Sequence, residues 1–160
     1  MDRHDIYAKL EECGIALPNM GAPAAAYAMC VQSGNVAYLS GHLAKKDGKV
    51  WVGKLGATLS ADDGITAARS VAIDLLATLH THLGDLNRVK RIVKLTSVVN
   101  STAEFTGQHL VTNGASELFA EVFGESGKHA RSAFGVAQIP LGACVEIELI
   151  VEVACGSDRA

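Results

Sequence analysis

Residues 144–153, Cys-Val-Glu-Ile-Glu-Leu-Ile-Val-Glu-Val, alternate in character along most of their length and therefore predict a β-strand with two different faces. One face is wholly aliphatic and is expected to pack against helices: Val145, Ile147, Leu149, Val151 and Val153. The other face is too apolar for open solvent and too acidic for a core: Cys144, Glu146, Glu148, Ile150 and Glu152. Because such a sheet face is commonly covered by another subunit, the strand also predicts an oligomer.

Two amphipathic helices are predicted upstream of this strand. The first begins at a capping box formed by Ser60 and Asp63 and carries an apolar stripe at helical spacing. The second has Thr112 or Asn113 as its N-cap and an apolar stripe that ends at Phe123. Each stripe is expected to bury one side of its helix against a sheet.

Further strands and a short helix complete the pattern. The short helix is predicted at the N-terminus, over residues 5–13. Runs of β-branched and apolar residues bounded by turn residues predict a hairpin, a small strand, a central strand and a penultimate strand: residues 27–32 with 35–40, 50–52, 91–100 and 132–138. The order β-β, helix, β, helix, β-β favours an α+β domain with two main helices on one face of a mixed sheet.

Composition and charge exclude several classes of protein. With 160 residues, 49% of them hydrophobic and 19% charged, the chain is expected to form one domain over residues 1–160. Residues 1–20 are expected to be a helical extension and residues 156–160 a disordered tail. The net charge of -3 and the pI near 6.0 argue against nucleic-acid binding. No run resembles a signal peptide or a membrane span, so a cytoplasmic protein is expected.

Metal and disulfide chemistry find little support in the sequence. The cysteines lack the spacing of a zinc site or a disulfide framework and are expected to be free thiols: Cys13, Cys30, Cys144 and Cys155. His80 and His82 are two residues apart on a predicted helix and point to different sides, so they do not form a metal-binding pair.

Three motifs follow one another at close spacing. They are Gly34-Asn35 with Leu39-Ser40-Gly41, Lys94-Leu95-Thr96-Ser97-Val98-Val99 with Phe105, and Ala130-Arg131-Ser132 with Ile139-Pro140 and Val145-Glu146-Ile147-Glu148. Together they span most of residues 25–155 and resemble the Rid family, also called the YjgF/YER057c/UK114 family. The resemblance implies a chorismate-mutase-like fold and a homotrimer with a cleft at each subunit boundary. It also implies hydrolysis of 2-imino acids, or their enamine tautomers, to 2-oxo acids and ammonia.

The resemblance assigns catalytic roles to Arg131 and Glu146. The planar guanidinium of Arg131 can hold a substrate carboxylate through two parallel hydrogen bonds, and a surface arginine at a strand end is the alternative. Glu146 aligns with the family's acidic residue and can position water and move a proton; intersubunit ion pairing is its alternative, and Glu148 is the rival carboxylate. A protonated C=N carbon is already electrophilic, so no metal or organic cofactor is required.

Four further residues are candidates for substrate binding. Tyr27 resembles the family's early tyrosine, with a core position as its alternative, and Ser40 matches the serine of the family's Ser-Gly-Gln motif. Asn113 resembles an asparagine at the start of the second helix, where a helix cap alone would account for it. His129, close to Arg131, is a second acid or base or a recognition group, and an exposed loop histidine is its alternative.

Departures from the family pattern concern the pocket. His42 stands in place of the glutamine of Ser-Gly-Gln, His129 in place of a proline, and Ala133 in place of a cysteine. Insertions at residues 43–60 and 124–129 reshape the rim of the cleft. A non-catalytic module that binds a small carboxylate metabolite or a partner protein is therefore the alternative function. Ribonuclease activity, which has been attached to some relatives, is disfavoured by the acidic charge.

Overall fold

The helices and strands occur in the predicted order. A computed structural model describes residues 5–23 and 25–154. The helices are α1 Ile6–Glu12, α2 Ala61–Leu83 and α3 Gln108–Phe123. The strands are β1 Cys30–Ser33, β2 Val36–Leu43, β3 Lys45–Lys46, β4 Lys49–Val50, β5 Val89–Asn100, β6 Ala130–Val136 and β7 Val145–Val153.

Five of the strands form one mixed sheet in the order β1-β2-β7-β5-β6. β5 and β6 run parallel because α3 connects them as a crossover, whereas the other neighbouring strands are antiparallel. β7 is therefore the middle strand, and β6 lies at an edge with only one neighbour. The α+β class and the mixed sheet predicted from the sequence are confirmed.

The aliphatic face of β7 is buried under α2 and α3, as the alternation predicts. Its five residues are at most 1% exposed: Val145, Ile147, Leu149, Val151 and Val153. The two helices approach each other closely at Gly114, where a Cβ atom would lie 2.0 Å from the carbonyl oxygen of Ile65. Only glycine fits such an approach of two backbones.

The opposite face of the sheet, here called the open face, has no covering element in the described chain. Glu146, Ile150 and Glu152 are half-buried there and Glu148 is exposed. Three large apolar side chains of neighbouring strands are also exposed on it: Val31 at 55%, Tyr38 at 48% and Phe134 at 48%. Cys144 was predicted on this face, but it is buried because it precedes β7 and its backbone pairs with Trp51.

The start of α3 differs from the prediction. The N-cap is Gly107, and Thr112 and Asn113 lie inside the helix. The Thr112 hydroxyl donates to the carbonyl of Gln108 instead of capping the helix end. The N-cap lies five or six residues earlier than predicted because the buried Val111 extends the apolar stripe toward the N-terminus.

Strand boundaries also differ. The first predicted strand begins at Cys30 instead of Tyr27, because residues 25–27 form bends. The strand predicted at 132–138 lies at Ala130–Val136.

Of the strand predicted at 50–52, only Val50 lies in a strand, β4, which forms a small hairpin with β3. The turn of this hairpin contains Asp47 and Gly48 with φ of 52° and 74°.

The N-terminal helix is held by a tyrosine. The hydroxyl of Tyr7 lies 2.9 Å from Nδ1 of His80 and accepts a hydrogen bond of 2.9 Å from the backbone N–H of Leu86. Cys13, Cys30 and Cys144 are free thiols, as predicted. Cys155 and the predicted tail at 156–160 lie outside the described residues. Across residues 5–23 and 25–154, no helix is both long enough and apolar enough to cross a membrane.

Candidate active site

Arg131 lies on β6 and reaches across to α3. Its backbone pairs with Leu95 of β5, which is fully buried, so Arg131 is on the helix-covered face of the sheet. Nη1 donates to Oδ1 of Asn113 at 2.9 Å and to Oγ of Ser116 at 3.1 Å, and Nη2 donates to the carbonyl of His109 at 3.0 Å. The three acceptors occupy positions i, i+4 and i+7 of one helix and therefore one helix face.

Part of the Arg131 guanidinium remains available to a ligand. A guanidinium has five N–H groups, and α3 accepts three of them. The Nε–H and one N–H of Nη2 have no acceptor within the described residues. Since Nε and Nη2 belong to the same edge of the guanidinium, that edge can donate to a carboxylate.

A cavity of about 290 Å³ opens beside this edge strand, and its lining is rich in donors: Asn113, Ser116, Ala120, Lys128, His129 and Arg131. Lys128 forms an exposed ion pair with Glu125. Because none of the described residues that line this cavity carries a carboxylate, its chemistry suits an anion.

His129 turns both ring nitrogens toward the protein. Nδ1 lies 2.6 Å from the carbonyl oxygen of Gly127, and Nε2 lies 3.0 Å from Oγ of Ser116. The ring packs edge-on against Phe119 at a centroid distance of 6.0 Å. Burial lowers the pKa of His129, and the positive charge of Arg131 lowers it further, against the effect of the Gly127 hydrogen bond. In this arrangement neither nitrogen of His129 is free to contact a substrate.

Glu146 lies on the open face, on the middle strand. It pairs with Val98 of β5 and lines a cavity of about 220 Å³ together with Glu148 of its own strand and with residues of three other strands: Gly41, Thr96, Val98 and Phe134. A Cβ atom at Gly41 would lie 2.0 Å from Oε1 of Glu146, so the glycine provides the space for the carboxylate. Burial raises the pKa of Glu146, and the negative charge of Glu148 adds to this rise. No donor in the described part of the chain bonds to this carboxylate.

Ser40 and Tyr27 lie near the irregularity of β2 that brings Gly41 to Glu146. The Ser40 hydroxyl donates to the carbonyl of Ala28 at 2.6 Å. This bond ties β2 to the segment that carries Tyr27, whose side chain is 44% exposed. The hydroxyl proton of Ser40 is thus already engaged, whereas Tyr27 presents an exposed ring.

The predicted site residues form two separate groups in one chain. The arginine group lies where β6 meets α3: Asn113, His129 and Arg131. The glutamate group lies around β2 and β7: Tyr27, Ser40 and Glu146. The strand register places Arg131 and Glu146 two strand spacings, about 10 Å, apart across the sheet and about 10 Å apart along it, on opposite faces. A small substrate cannot contact both residues within a single chain.

Ser116 and the carbonyl of His109 were not predicted as partners of Arg131. Both lie on the same face of α3 as Asn113, and helical spacing from a correct helix start would have identified Ser116. The backbone of His109 could not have been identified from its side chain. Ser116 carries a clear signal, because it lies three residues after Asn113.

Histidines elsewhere have structural partners. His42 is 3% exposed; its Nδ1 lies 2.6 Å from the carbonyl of Ser40 and its Nε2 lies 2.7 Å from Oγ1 of Thr78. His80 contacts Tyr7, whereas Nε2 of His82 lies 3.3 Å from the side chain of Gln32. The latter two point to different neighbours, as predicted. Within residues 5–23 and 25–154 no group of three metal-binding His, Cys, Asp or Glu residues occurs.

Comparisons with known proteins agree with this architecture. Residues 7–153 match the family described as "YjgF/chorismate mutase-like, putative endoribonuclease". Protein TCP17 of Trypanosoma cruzi is 48% identical over 149 residues, covering 92% of this chain and 93% of that protein. The crystal structure of Atu1372 from Agrobacterium tumefaciens, titled as a protein with unknown function, is 43% identical with a TM-score of 0.85 and covers 92% of each chain. RidA from a Psychrobacter species is 26% identical with a TM-score of 0.55, covering 82% of this chain and 92% of that one. The chain therefore belongs to the YjgF/chorismate mutase-like family.

Proposed function

We propose that this chain hydrolyses 2-imino acids, or their enamine tautomers, to 2-oxo acids and ammonia, at sites shared between neighbouring copies in a cytoplasmic homotrimer. One observation carries the proposal. Arg131 donates three hydrogen bonds to α3 and keeps an edge with two N–H groups that have no acceptor among the described residues, beside a cavity that suits an anion. Every 2-imino acid carries the carboxylate that such an edge recognises.

Arg131 supplies binding and orientation in this mechanism. Its contacts to Asn113, Ser116 and the His109 carbonyl restrict the guanidinium before substrate arrives. A carboxylate held by the Nε edge fixes the adjacent C=N carbon in one position. Such preorganisation lowers the entropic cost of bringing water to that carbon.

Glu146 supplies proton transfer. Its carboxylate accepts a proton from the attacking water while the water oxygen bonds to the C=N carbon and the C=N π electrons move to nitrogen. The same proton then passes to the amine nitrogen. As the C–N bond breaks, the carbinolamine hydroxyl gives its proton to the Glu146 carboxylate, the C=O bond of the 2-oxo acid forms, and the departing ammonia takes up that proton as ammonium. Burial favours this role, because it raises the pKa of the Glu146 carboxyl group toward neutral pH. Neither step needs a metal or an organic cofactor.

A second copy of the chain completes the site. The arginine and glutamate groups lie on opposite faces of one sheet. Among the described residues, the cavity beside Arg131 has no carboxylate to move a proton, and the cavity beside Glu146 has no cationic side chain to bind a carboxylate. The open face beside Glu146 exposes Val31, Tyr38 and Phe134, an apolar surface of the kind that a partner subunit covers. We therefore place Arg131 from one copy opposite Glu146 from the next.

The departures from the family pattern do not fill the arginine cavity. His42 is buried against Thr78 and the Ser40 carbonyl, and His129 is turned toward Ser116 and Gly127. These two substitutions therefore leave the free edge of Arg131 accessible. Carboxylate binding, which both the enzyme and the alternative of a non-catalytic module require, is therefore retained. The half-buried Glu146 carboxylate, whose pKa is raised by burial, favours the enzyme.

The test uses imino acids made in situ by an amino-acid oxidase. Purified protein should accelerate hydrolysis of the imine, seen as slower formation of the semicarbazone when semicarbazide is present to trap the imine that is not hydrolysed. Arg131→Met and Glu146→Gln should abolish the acceleration. Arg69→Met is the matched control, since Arg69 forms an exposed ion pair with Glu121 and lines neither cavity. Wild-type protein that binds 2-oxo acids without accelerating hydrolysis would identify the non-catalytic module, and RNA cleavage abolished by the same substitutions would contradict the proposal.

A further inference from the structure

We infer that His129 is a positioning residue that orients the guanidinium of Arg131 through the hydroxyl of Ser116. The inference deepens the proposed function and rests on it for its consequence in catalysis. The hydrogen-bond relay itself stands on the geometry of three side chains and one carbonyl. Neither His129 nor Ser116 needs to touch the substrate for this role.

The direction of each hydrogen bond follows from the carbonyl at the end of the relay. The Gly127 oxygen, 2.6 Å from Nδ1 of His129, can only accept, so Nδ1 carries a proton. In the neutral ring Nε2 is then an acceptor, and the Ser116 hydroxyl, 3.0 Å away, donates to it. With its proton committed, Ser116 presents lone pairs to Nη1 of Arg131 at 3.1 Å.

The imidazole is held firmly enough to act as the fixed end of this relay. Its edge packs on Phe119 with an interplanar angle of 85°. The loop before it is pressed against the same helix, because a Cβ atom at Gly127 would lie 2.0 Å from the Phe119 carbonyl oxygen. The ring immediately precedes β6, which begins at Ala130, so its position is coupled to that of Arg131 by one intervening residue.

Loss of the acceptor at Nε2 should loosen Arg131 without releasing it. The Ser116 hydroxyl would be free to rotate, and its lone pairs would no longer be directed toward Nη1. Asn113 and the His109 carbonyl would still hold the guanidinium. We therefore expect carboxylate affinity to fall by about three- to tenfold, the effect of one neutral hydrogen bond.

Two substitutions of similar size separate this role from simple packing. His129→Gln can place its amide oxygen near the position of Nε2 and accept from Ser116. His129→Asn is shorter, so it can replace only the bond to Gly127. Ser116→Ala removes the middle of the relay. Thermal unfolding establishes that each variant is folded, and the affinity for a 2-oxo acid such as pyruvate is measured by calorimetric titration.

A second readout does not depend on any ligand. In protein labelled with ¹⁵N-arginine, the Nε–H signal of Arg131 reports how rigidly the guanidinium is held, through its hydrogen-exchange rate and order parameter. His129→Asn and Ser116→Ala should both increase exchange and weaken pyruvate binding about three- to tenfold, whereas His129→Gln should stay within about twofold of wild type. Combining His129→Asn with Ser116→Ala should add nothing further, because both interrupt one relay.

The outcomes are distinct for the relay and for the proposed function. Identical Arg131 signals in the Asn and Gln variants, or additive effects in the double variant, would overturn the relay. If wild-type protein binds no 2-oxo acid while the Arg131 signal still separates the Asn and Gln variants, the relay is supported and the proposed function fails.

Discussion

Mixed trimers of two inactive variants should regain activity, because the proposed site takes Arg131 from one copy and Glu146 from another. Arg131→Met removes the guanidinium, and Glu146→Gln removes the proton acceptor. A charge-assisted hydrogen bond contributes about 1.5–3 kcal/mol, so loss of the two that Arg131 offers a carboxylate predicts at least a 100-fold loss of kcat/KM. Each variant alone is therefore expected to be nearly inactive.

The magnitude of the recovery follows from the separation of the two groups in the chain. Since Arg131 and Glu146 lie on opposite sheet faces, every site in a closed ring joins one copy to its neighbour. Any trimer that contains both variants has one junction at which an intact Arg131 meets an intact Glu146. Random assembly from equal amounts should therefore restore about a quarter of all sites, and purified mixed trimers about a third of theirs.

The assay uses coexpression of the two variants with different affinity tags. Successive purification on both tags isolates the mixed trimers, and ammonia release from an in situ 2-imino acid gives their activity. Doubly tagged trimers of Arg131→Met alone are the control and should stay inactive. Mixed trimers no more active than this control would refute a shared site, since a site within one chain can never be restored by mixing.

Four other substitutions test separate parts of the structure. Arg131→Lys keeps the charge but loses the paired donors, so pyruvate binding should weaken about tenfold or more in calorimetric titration. Gly114→Ala should lower the free energy of unfolding by about 1–3 kcal/mol in urea denaturation, because its Cβ would overlap the α2 backbone. Phe134→Asp should shift sedimentation toward monomers, since a charge would stand on the open face. Burial lowers the pKa of His42, so wild type should lose more stability than His42→Gln as the pH falls below the ordinary range of histidine; melting temperatures at pH 7.5 and pH 5 provide the measurement.

The sign of the His42 prediction follows from the buried ring. A histidine whose pKa is lower in the folded state than in the unfolded chain is kept neutral by folding, and the unfolded chain binds the proton more readily. Its contribution to stability is complete above the unfolded-state pKa and is lost as the pH falls through the folded-state value. A greater acid sensitivity in the glutamine variant than in wild type would contradict this reasoning.

The two faces of the sheet were predictable because aliphatic and mainly acidic residues alternate along its middle strand, β7. Val145 and Ile147 could only pack inward, and the acidic residues between them could only face away from the helices. The capping box of Ser60 and Asp63 likewise specifies the start of α2, and both of its hydrogen bonds are present. The alternation in β7 and the capping box of α2 each depend on only a few residues that are close in sequence.

The start of α3 was not predictable in the same way. Gly107 provides no side-chain cap, and no hydrogen bond from a side chain marks that end. Thr112 and Asn113 have the chemistry of caps, but tertiary packing of Val111 decides the helix start instead. The error of five or six residues in the helix start concealed the face on which Asn113 and Ser116 both reach Arg131.

The separation of Arg131 from Glu146 depends on which strands are neighbours, and a sequence pattern does not contain that information. The distance between the two residues follows only from the position of β5 between β6 and β7 and from the register of these strands. In the proposed mechanism, the open face is the surface on which a neighbouring copy packs. A neighbouring copy that buries Tyr38 and Phe134 would bring its own residues to the cavity beside Glu146, so the contact that stabilises the oligomer would also complete the site. Assembly and hydrolysis would then fail together, whereas a substitution confined to the arginine group would remove hydrolysis and leave the oligomer intact.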